Sequence, residues 1–316
     1  MGARDTRAPM STLTGLLAVS LPFFLLVLLG FAAARRGIVP VTALGALNAF
    51  VLYLALPAML LQLGRQWAHD GFSGAVALPL YALASLGLGL LAWRVLAAEP
   101  SRGARGMAAL VTLFPNTGFL GVPLLGALLG QGASSLLVAT IVFDLIVTSS
   151  VCLALAGARE AGLRRALRNP LPWAVLAGVV MGLAELTLPA PLERTLQMLA
   201  QAVSPTALVA LGVALAVPQP AHSAHGTALR LAVLKLVAHP LLAGLLGYAA
   251  LRAGWIGLPQ LQLLVLATAL PGAANVALLA QQFGEGQHLV PRAILASTLG
   301  APLTLPLVAW ALGVQA

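Results

Sequence analysis

Two apolar runs, each long enough to cross a bilayer, are interrupted near their middles by proline, glycine and asparagine. The first reads Phe114-Pro115-Asn116-Thr117-Gly118-Phe119-Leu120-Gly121-Val122-Pro123 and the second Leu270-Pro271-Gly272-Ala273-Ala274-Asn275. Proline inside a helix removes a donor and clashes with an upstream carbonyl, at a cost of roughly 3 kcal/mol. In lipid, the backbone it frees is tolerated only where it is buried in protein or lines a wet cavity. Two such breaks in one chain predict one enclosed site where they meet.

Composition sets the solvent around them. The 316 residues are 60% hydrophobic and 8% charged, far below the roughly one quarter charged of soluble domains. The formal net charge of +9 would suit nucleic acid if basic residues clustered on a folded face, but here they fall in short gaps between apolar runs, which argues against a nucleic-acid partner. The single cysteine, Cys152, excludes an internal disulfide and suggests no metal framework. With no His-Glu-x-x-His, no Gly-x-Ser-x-Gly and scattered histidines, an intramembrane enzyme is a remote alternative and no catalytic residue is assigned. A phosphate-binding loop ending in Gly-Lys-Ser/Thr is also missing, so no ATP motor is expected.

Windows of about 20 apolar residues fall near 13–34, 44–63, 72–96, 106–129, 133–155, 171–188, 196–217, 228–251, 258–283 and 288–312. The expected fold is an all-α polytopic membrane protein of about ten transmembrane helices. Arg4 and Arg7 ahead of the first run imitate a signal peptide, but that run exceeds a signal core of roughly 7–15 residues and is taken as the first span. Arg35, Arg36, Arg94, Arg102, Arg105, Arg159, Arg164, Arg165, Arg168, Arg230 and Arg292 fall on one side. Arg4, Arg7, Arg65, Arg194 and Arg252 fall on the other. The richer side is cytoplasmic by the positive-inside rule, which puts both termini on the periplasmic face of the inner membrane.

Offsetting the chain by roughly 156 to 158 residues lays span on span and Pro115 on Pro271, the hydropathy symmetry of internally repeated transporters. This divides the chain into residues 1–156, a linker 157–170 expected in the cytoplasm, and residues 171–316. An odd number of spans per half makes the halves two inverted five-helix repeats, and their broken helices then cross at mid-membrane. Each half-helix that restarts after a break, near Asn116–Gly118 and Gly272–Asn275, exposes N–H groups carrying partial positive charge. A carboxylate can be held there by those donors with Asn116, Thr117 and Asn275, while freed carbonyls can take Na⁺. The plain alternative is a pair of packing kinks.

Other polar residues lie in the apolar runs. Asp144 near the centre of the fifth is expected to face the protein interior and is a candidate for proton or cation coupling. Lys235 and His239, four apart on one face of the eighth, are further candidates, although Lys235 can also snorkel to the surface and His239 can simply bond a carbonyl. Asn48 in the second either lines the same cavity or ties helices together.

The segments 116–123 and 271–275, the latter followed by Leu279-Ala280-Gln281-Gln282-Phe283-Gly284, together with Leu54-Ala55-Leu56-Pro57 and Asn169-Pro170, resemble the auxin efflux carrier family over nearly the whole chain. With only 157–169 between its halves, the chain is similar to the compact bacterial permeases for malonate, malate and similar acids, and lacks the long central loop of the plant auxin exporters. The resemblance implies a scaffold and a transport domain with broken crossover helices, as in bile-acid sodium symporters. It implies a substrate site at Pro115, Asn116, Pro271 and Asn275, to which the residues themselves add Thr117, Gly118 and Gly272. The expected function is secondary transport of an organic carboxylate across the lipid bilayer, coupled to H⁺ or Na⁺ and without a bound cofactor; an anion channel or uncoupled facilitator is the alternative. A homodimer is expected by analogy with other scaffold-and-mover designs.

Overall fold

The computed structural model describes residues 13–72, 76–130, 134–155, 170–217 and 225–314. Arg4, Arg7 and the linker up to Asn169, with Arg159, Arg164, Arg165 and Arg168, lie outside the described residues.

Among the described residues the regular structure is helical. In chain order it comprises α1 (Leu13–Arg35), α2 (Val41–His69), α3 (Leu78–Val95), α4 (Arg102–Leu113), α5 (Thr117–Leu129), α6 (Leu136–Cys152), α7 (Pro170–Leu183), α8 (Ala190–Leu215), α9 (Gly226–Arg252), α10 (Leu258–Ala269), α11 (Asn275–Phe283) and α12 (Val290–Ala311). Six of these, α1, α2, α3, α8, α9 and α12, are long and apolar enough to cross a membrane, and α5, α6, α7 and α10 are shorter apolar helices. The chain is a multi-pass membrane protein.

Proline shapes these helices in two ways. At Pro57, Pro123 and Pro240 the backbone opens into a five-residue π segment just upstream, whereas Pro22, Pro205, Pro302 and Pro306 are carried inside α-helices without one. Val51–Ala55 precedes Leu56-Pro57, Thr117–Gly121 precedes Val122-Pro123, and Leu234–Ala238 precedes His239-Pro240. A proline has no N–H for the carbonyl four residues back, and the wider turn absorbs that missing bond and the ring's bulk. A fourth π segment, Asp144–Thr148, has no proline; there the Ser149 hydroxyl donates to Asp144 O at 2.8 Å.

At the two breaks the helix stops altogether. Phe114 (ψ 102°) and Leu270 (ψ 149°) are extended, the conformation forced on a residue that precedes proline, and they end α4 and α10. Gly284, at φ 69°, closes α11 in the left-handed conformation, with Glu285 N–H reaching back to Ala280 O at 3.1 Å.

Packing sorts the helices into two groups. In the first, α1 lies against α8 and α2 against α7, and α8 also crosses α2. Glycines let these backbones touch: a Cβ on Gly30 would strike Val209 O, one on Gly212 would strike Val27 O, and one on Gly178 would strike Leu61 O. Small residues at helix contacts are the usual means of association in lipid, where the hydrophobic effect gives helices no reason to leave the hydrocarbon. Arg65 Nη1 to Glu193 Oε2, at 2.7 Å, ties α2 to α8. The second group joins α3, α4, α6, α9, α10 and α12 around the two breaks. On one end of it, Ser101 Oγ donates to Glu285 Oε2 at 2.8 Å and Glu99 pairs with His288 at 3.2 Å, linking the α3–α4 and α11–α12 connections.

Replacing Gly178 by leucine is expected to force α7 off α2 and to abolish a monodisperse peak in size-exclusion chromatography. Gly126→Ala, where the added Cβ meets nothing within 4 Å, is expected to be neutral or to stabilise by up to about 1 kcal/mol in a thermal melt, the helix-propensity gain of alanine over glycine.

Candidate functional site

The two breaks meet. Asn116 N–H donates to Pro271 O at 2.8 Å and Ala273 N–H to Phe114 O at 2.9 Å, an antiparallel bridge pairing Pro115 with Gly272. Thr117 N–H turns back to Pro115 O at 2.8 Å, and Ser297 Oγ on α12 accepts from Gly272 N–H at 3.1 Å. Glycine is required at 272 because a Cβ there would lie 2.7 Å from Val111 O.

This geometry corrects one expectation drawn from the sequence. The N–H groups of Asn116, Thr117, Gly272 and Ala273 are not free ends awaiting an anion: Asn116 and Ala273 bond across to the other break, Thr117 bonds Pro115 O and Gly272 bonds Ser297 Oγ. Side chains beside the bridge also offer groups to a ligand. Asn116 Nδ2, Thr117 Oγ1 and Asn275 Oδ1 are buried with no hydrogen-bond partner among the described residues, and Asn116 and Thr117 are 3% and 0% exposed. Leaving such groups unpaired costs about 1–3 kcal/mol each. Beside them is a cavity of about 30 Å³, small next to the roughly 300–1,000 Å³ of drug-sized ligand pockets. Pro115, Asn116, Gly118 and Asn275 line one side of it, Ile141 and Leu145 of α6 another, and Leu56 of α2 and Leu171 of α7 close it from the first helix group. Ser204 of α8 also reaches across, donating to Phe119 O at 2.7 Å.

The second set of expected residues forms its own cluster. Asp144 is fully buried, with Tyr81 Oη donating to Oδ2 at 2.6 Å and Thr148 Oγ1 to Oδ1 at 2.8 Å. Lys235 is 1% exposed and does not snorkel; its Nζ donates to His239 Nδ1 at 2.9 Å and to Thr268 O at 3.3 Å. His239 Nε2 lies 3.3 Å from Ser85 Oγ. Asn48 is half-buried on α2 and does not line the cavity. Tyr81, Ser85 and Ser297 were not singled out from the sequence. Tyr81 and Ser85, four apart in α3, share a face, and that spacing was the available signal.

Gly272→Ala is expected to push apart the two breaks and lower stability by about 1–3 kcal/mol, the usual cost of overpacking. Ser297→Ala, which removes one hydrogen bond, is expected to cost about 1 kcal/mol. Thermal melting in detergent measures both.

The chain matches the family described as "Membrane transport protein" over residues 17–163 and 158–309. A protein of Rhizobium meliloti (strain 1021) named "Putative malonate transporter" is 31% identical over 310 residues, 92% of each chain. The "Uncharacterized transporter YfdV" of Escherichia coli (strain K12) is 27% identical over 305 residues, 91% of this chain and 94% of its own. With both broken-helix motifs in place and the match running along its whole length, the chain belongs to the membrane transport protein family that includes the auxin efflux carriers.

Proposed function

We propose that the chain is a secondary active transporter that carries an organic carboxylate across the cytoplasmic membrane by alternating access, coupled to a cation. The observation that carries this reading is the pair of bridged breaks with unsatisfied amide groups beside a cavity between the two helix groups. A buried donor without a partner is tolerated where a ligand completes it. Asn116 and Thr117 offer donors to a carboxylate, and Asn275 lies opposite on the other break. The name of the Rhizobium relative supports a small dicarboxylate such as malonate as the first substrate to try.

In this reading, α4 with α5 and α10 with α11 are single broken spans, which brings the count to ten. Reciprocal packing of α1 on α8 and α2 on α7 supports two inverted repeats, 1–156 and 171–316, joined by the linker 157–170, because each pair sets the first span of one repeat on the second of the other. The four glycine-packed helices act as scaffold and the six around the breaks as the moving unit. Since the cavity is small, substrate enters when the moving unit separates from Leu56 and Leu171. Both termini are periplasmic in this arrangement.

Uptake of radiolabelled malonate into proteoliposomes tests it. Asn116→Ala removes a donor to a charged group, worth about 1.5–3 kcal/mol, and Asn275→Ala removes the amide on the facing break, so uptake efficiency is expected to fall roughly ten- to hundredfold in the first and measurably in the second. Unchanged uptake in both variants would reduce the breaks to packing kinks. Ohmic, non-saturating anion current would make the protein a channel.

A further inference from the structure

Among the described residues, Asp144 on α6 and Lys235 and His239 on α9 lie fully inside the second helix group, outside the cavity. A membrane interior penalises charge, so such residues persist where they pair or serve transport. Their hydrogen bonds run in two branches, Tyr81 and Thr148 onto Asp144, and Lys235 onto His239 and then Ser85. Both branches reach the substrate site. Asp144 stands between Ile141 and Leu145, which line the cavity. Lys235 Nζ holds Thr268 O, three residues before Pro271. Asp144 and Lys235 each sit in a π segment, a wide turn that rearranges at low cost and often marks a functional site.

We propose that this network is the transporter's proton-coupling site, with Asp144 taking up and releasing the coupling proton and Lys235 serving as the fixed countercharge. The proposal rests on the carboxylate-transporter reading and supplies the ion that reading left open. Charge balance gives the mechanism. In the empty protein, Asp144 carboxylate and Lys235 ammonium sum to zero. When a proton from water forms an O–H bond on Asp144, the ammonium is left without its counterion, and the substrate's negative charge at the crossover replaces it. The fully loaded moving unit is again neutral for one proton and a substrate carrying one negative charge, which for malonate is the hydrogen-malonate monoanion. States with only one of the two carry a net charge in a low-dielectric interior and are disfavoured, which enforces co-transport. Release on the far side breaks the same O–H bond and returns the proton to water.

A proton fits the geometry better than sodium. Both Asp144 oxygens already accept hydroxyl protons, and the buried cation is a lysine built into the chain. The ionisable groups around Asp144 are Tyr81 from α3, Lys235 and His239 from α9, and Cys152 further along α6. Among the other helices packed on α6, α5 and α7 contain none. Arg65, His69, Arg102 and Arg105 sit toward the ends of α2 and α4.

The test is malonate transport in proteoliposomes in two modes, accumulation driven by an inward proton gradient and malonate–malonate exchange. Asp144→Asn is expected to keep exchange within about threefold of wild type and to lose gradient-driven accumulation, because the empty variant carries the unbalanced Lys235 charge and cannot return. Should the single variant fail to fold, Asp144→Asn with Lys235→Met removes both charges; the loaded unit then carries the substrate's charge unbalanced, so uptake is expected to be slowed and to ignore the pH gradient. Proton-driven accumulation surviving in either variant overturns the proposal, as does accumulation in wild type driven by a sodium gradient alone. A readout free of any substrate separates this from the transport reading itself. Infrared spectra of reconstituted wild type are expected to contain a protonated-carboxyl band that titrates with pH and is lost in Asp144→Asn. A spectrum whose titrating bands are the same in both proteins overturns the assignment, even if malonate proves not to be carried.

Discussion

Everything in this fold depends on two backbone hydrogen bonds, Asn116 N–H to Pro271 O and Ala273 N–H to Phe114 O. Proline makes both breaks unavoidable, and hydrocarbon makes unpaired backbone intolerable. Each break is the partner that the other lacks. The bridge satisfies the inner backbone groups and leaves the asparagine side chains of both halves beside one cavity. A site made this way needs no fixed cation for its stability, and its polar groups are held by main chain rather than by flexible side chains.

In the proposed transport cycle the surrounding packing distinguishes the helices that stay from those that move. Glycine contacts between α1 and α8 and between α2 and α7 bring the backbones so close that no side chain fits between them. Contacts from that group to the breaks are of another kind: apolar caps from Leu56 and Leu171 and a single hydroxyl from Ser204. Such contacts exchange easily for lipid or water. The buried Asp144–Tyr81 and Lys235–His239 pairs lie within the second helix group, together with the crossover.

Much of this was legible in the sequence because membrane helices announce themselves by length and apolarity. The run read at 13–34 is the helix Leu13–Arg35, and the breaks at Pro115 and Pro271 fall where proline chemistry puts them. The burial of Asp144 also follows from the cost of charge in hydrocarbon. What stayed hidden depends on rotation and depth between distant helices. No local pattern pairs Phe114 with Ala273, so the N–H groups of Asn116 and Ala273 were expected to be free and instead bond across the breaks. The hydroxyls of Tyr81 and Ser297 look like ordinary polar residues in an apolar run until the helices that need them are in place. Lys235 was ambiguous for the same reason: a long side chain reaches either the surface or His239, and only the packing of α9 on α3 and α10 decides.

The most direct test of the account is a cryo-EM structure of the protein in lipid nanodiscs with malonate. The account predicts density for the acid within hydrogen-bonding distance of Asn116 and Asn275, the Phe114–Ala273 and Asn116–Pro271 bonds intact, and the second helix group displaced from Leu56 and Leu171. Malonate bound elsewhere, or the two breaks drawn apart around it, would contradict it.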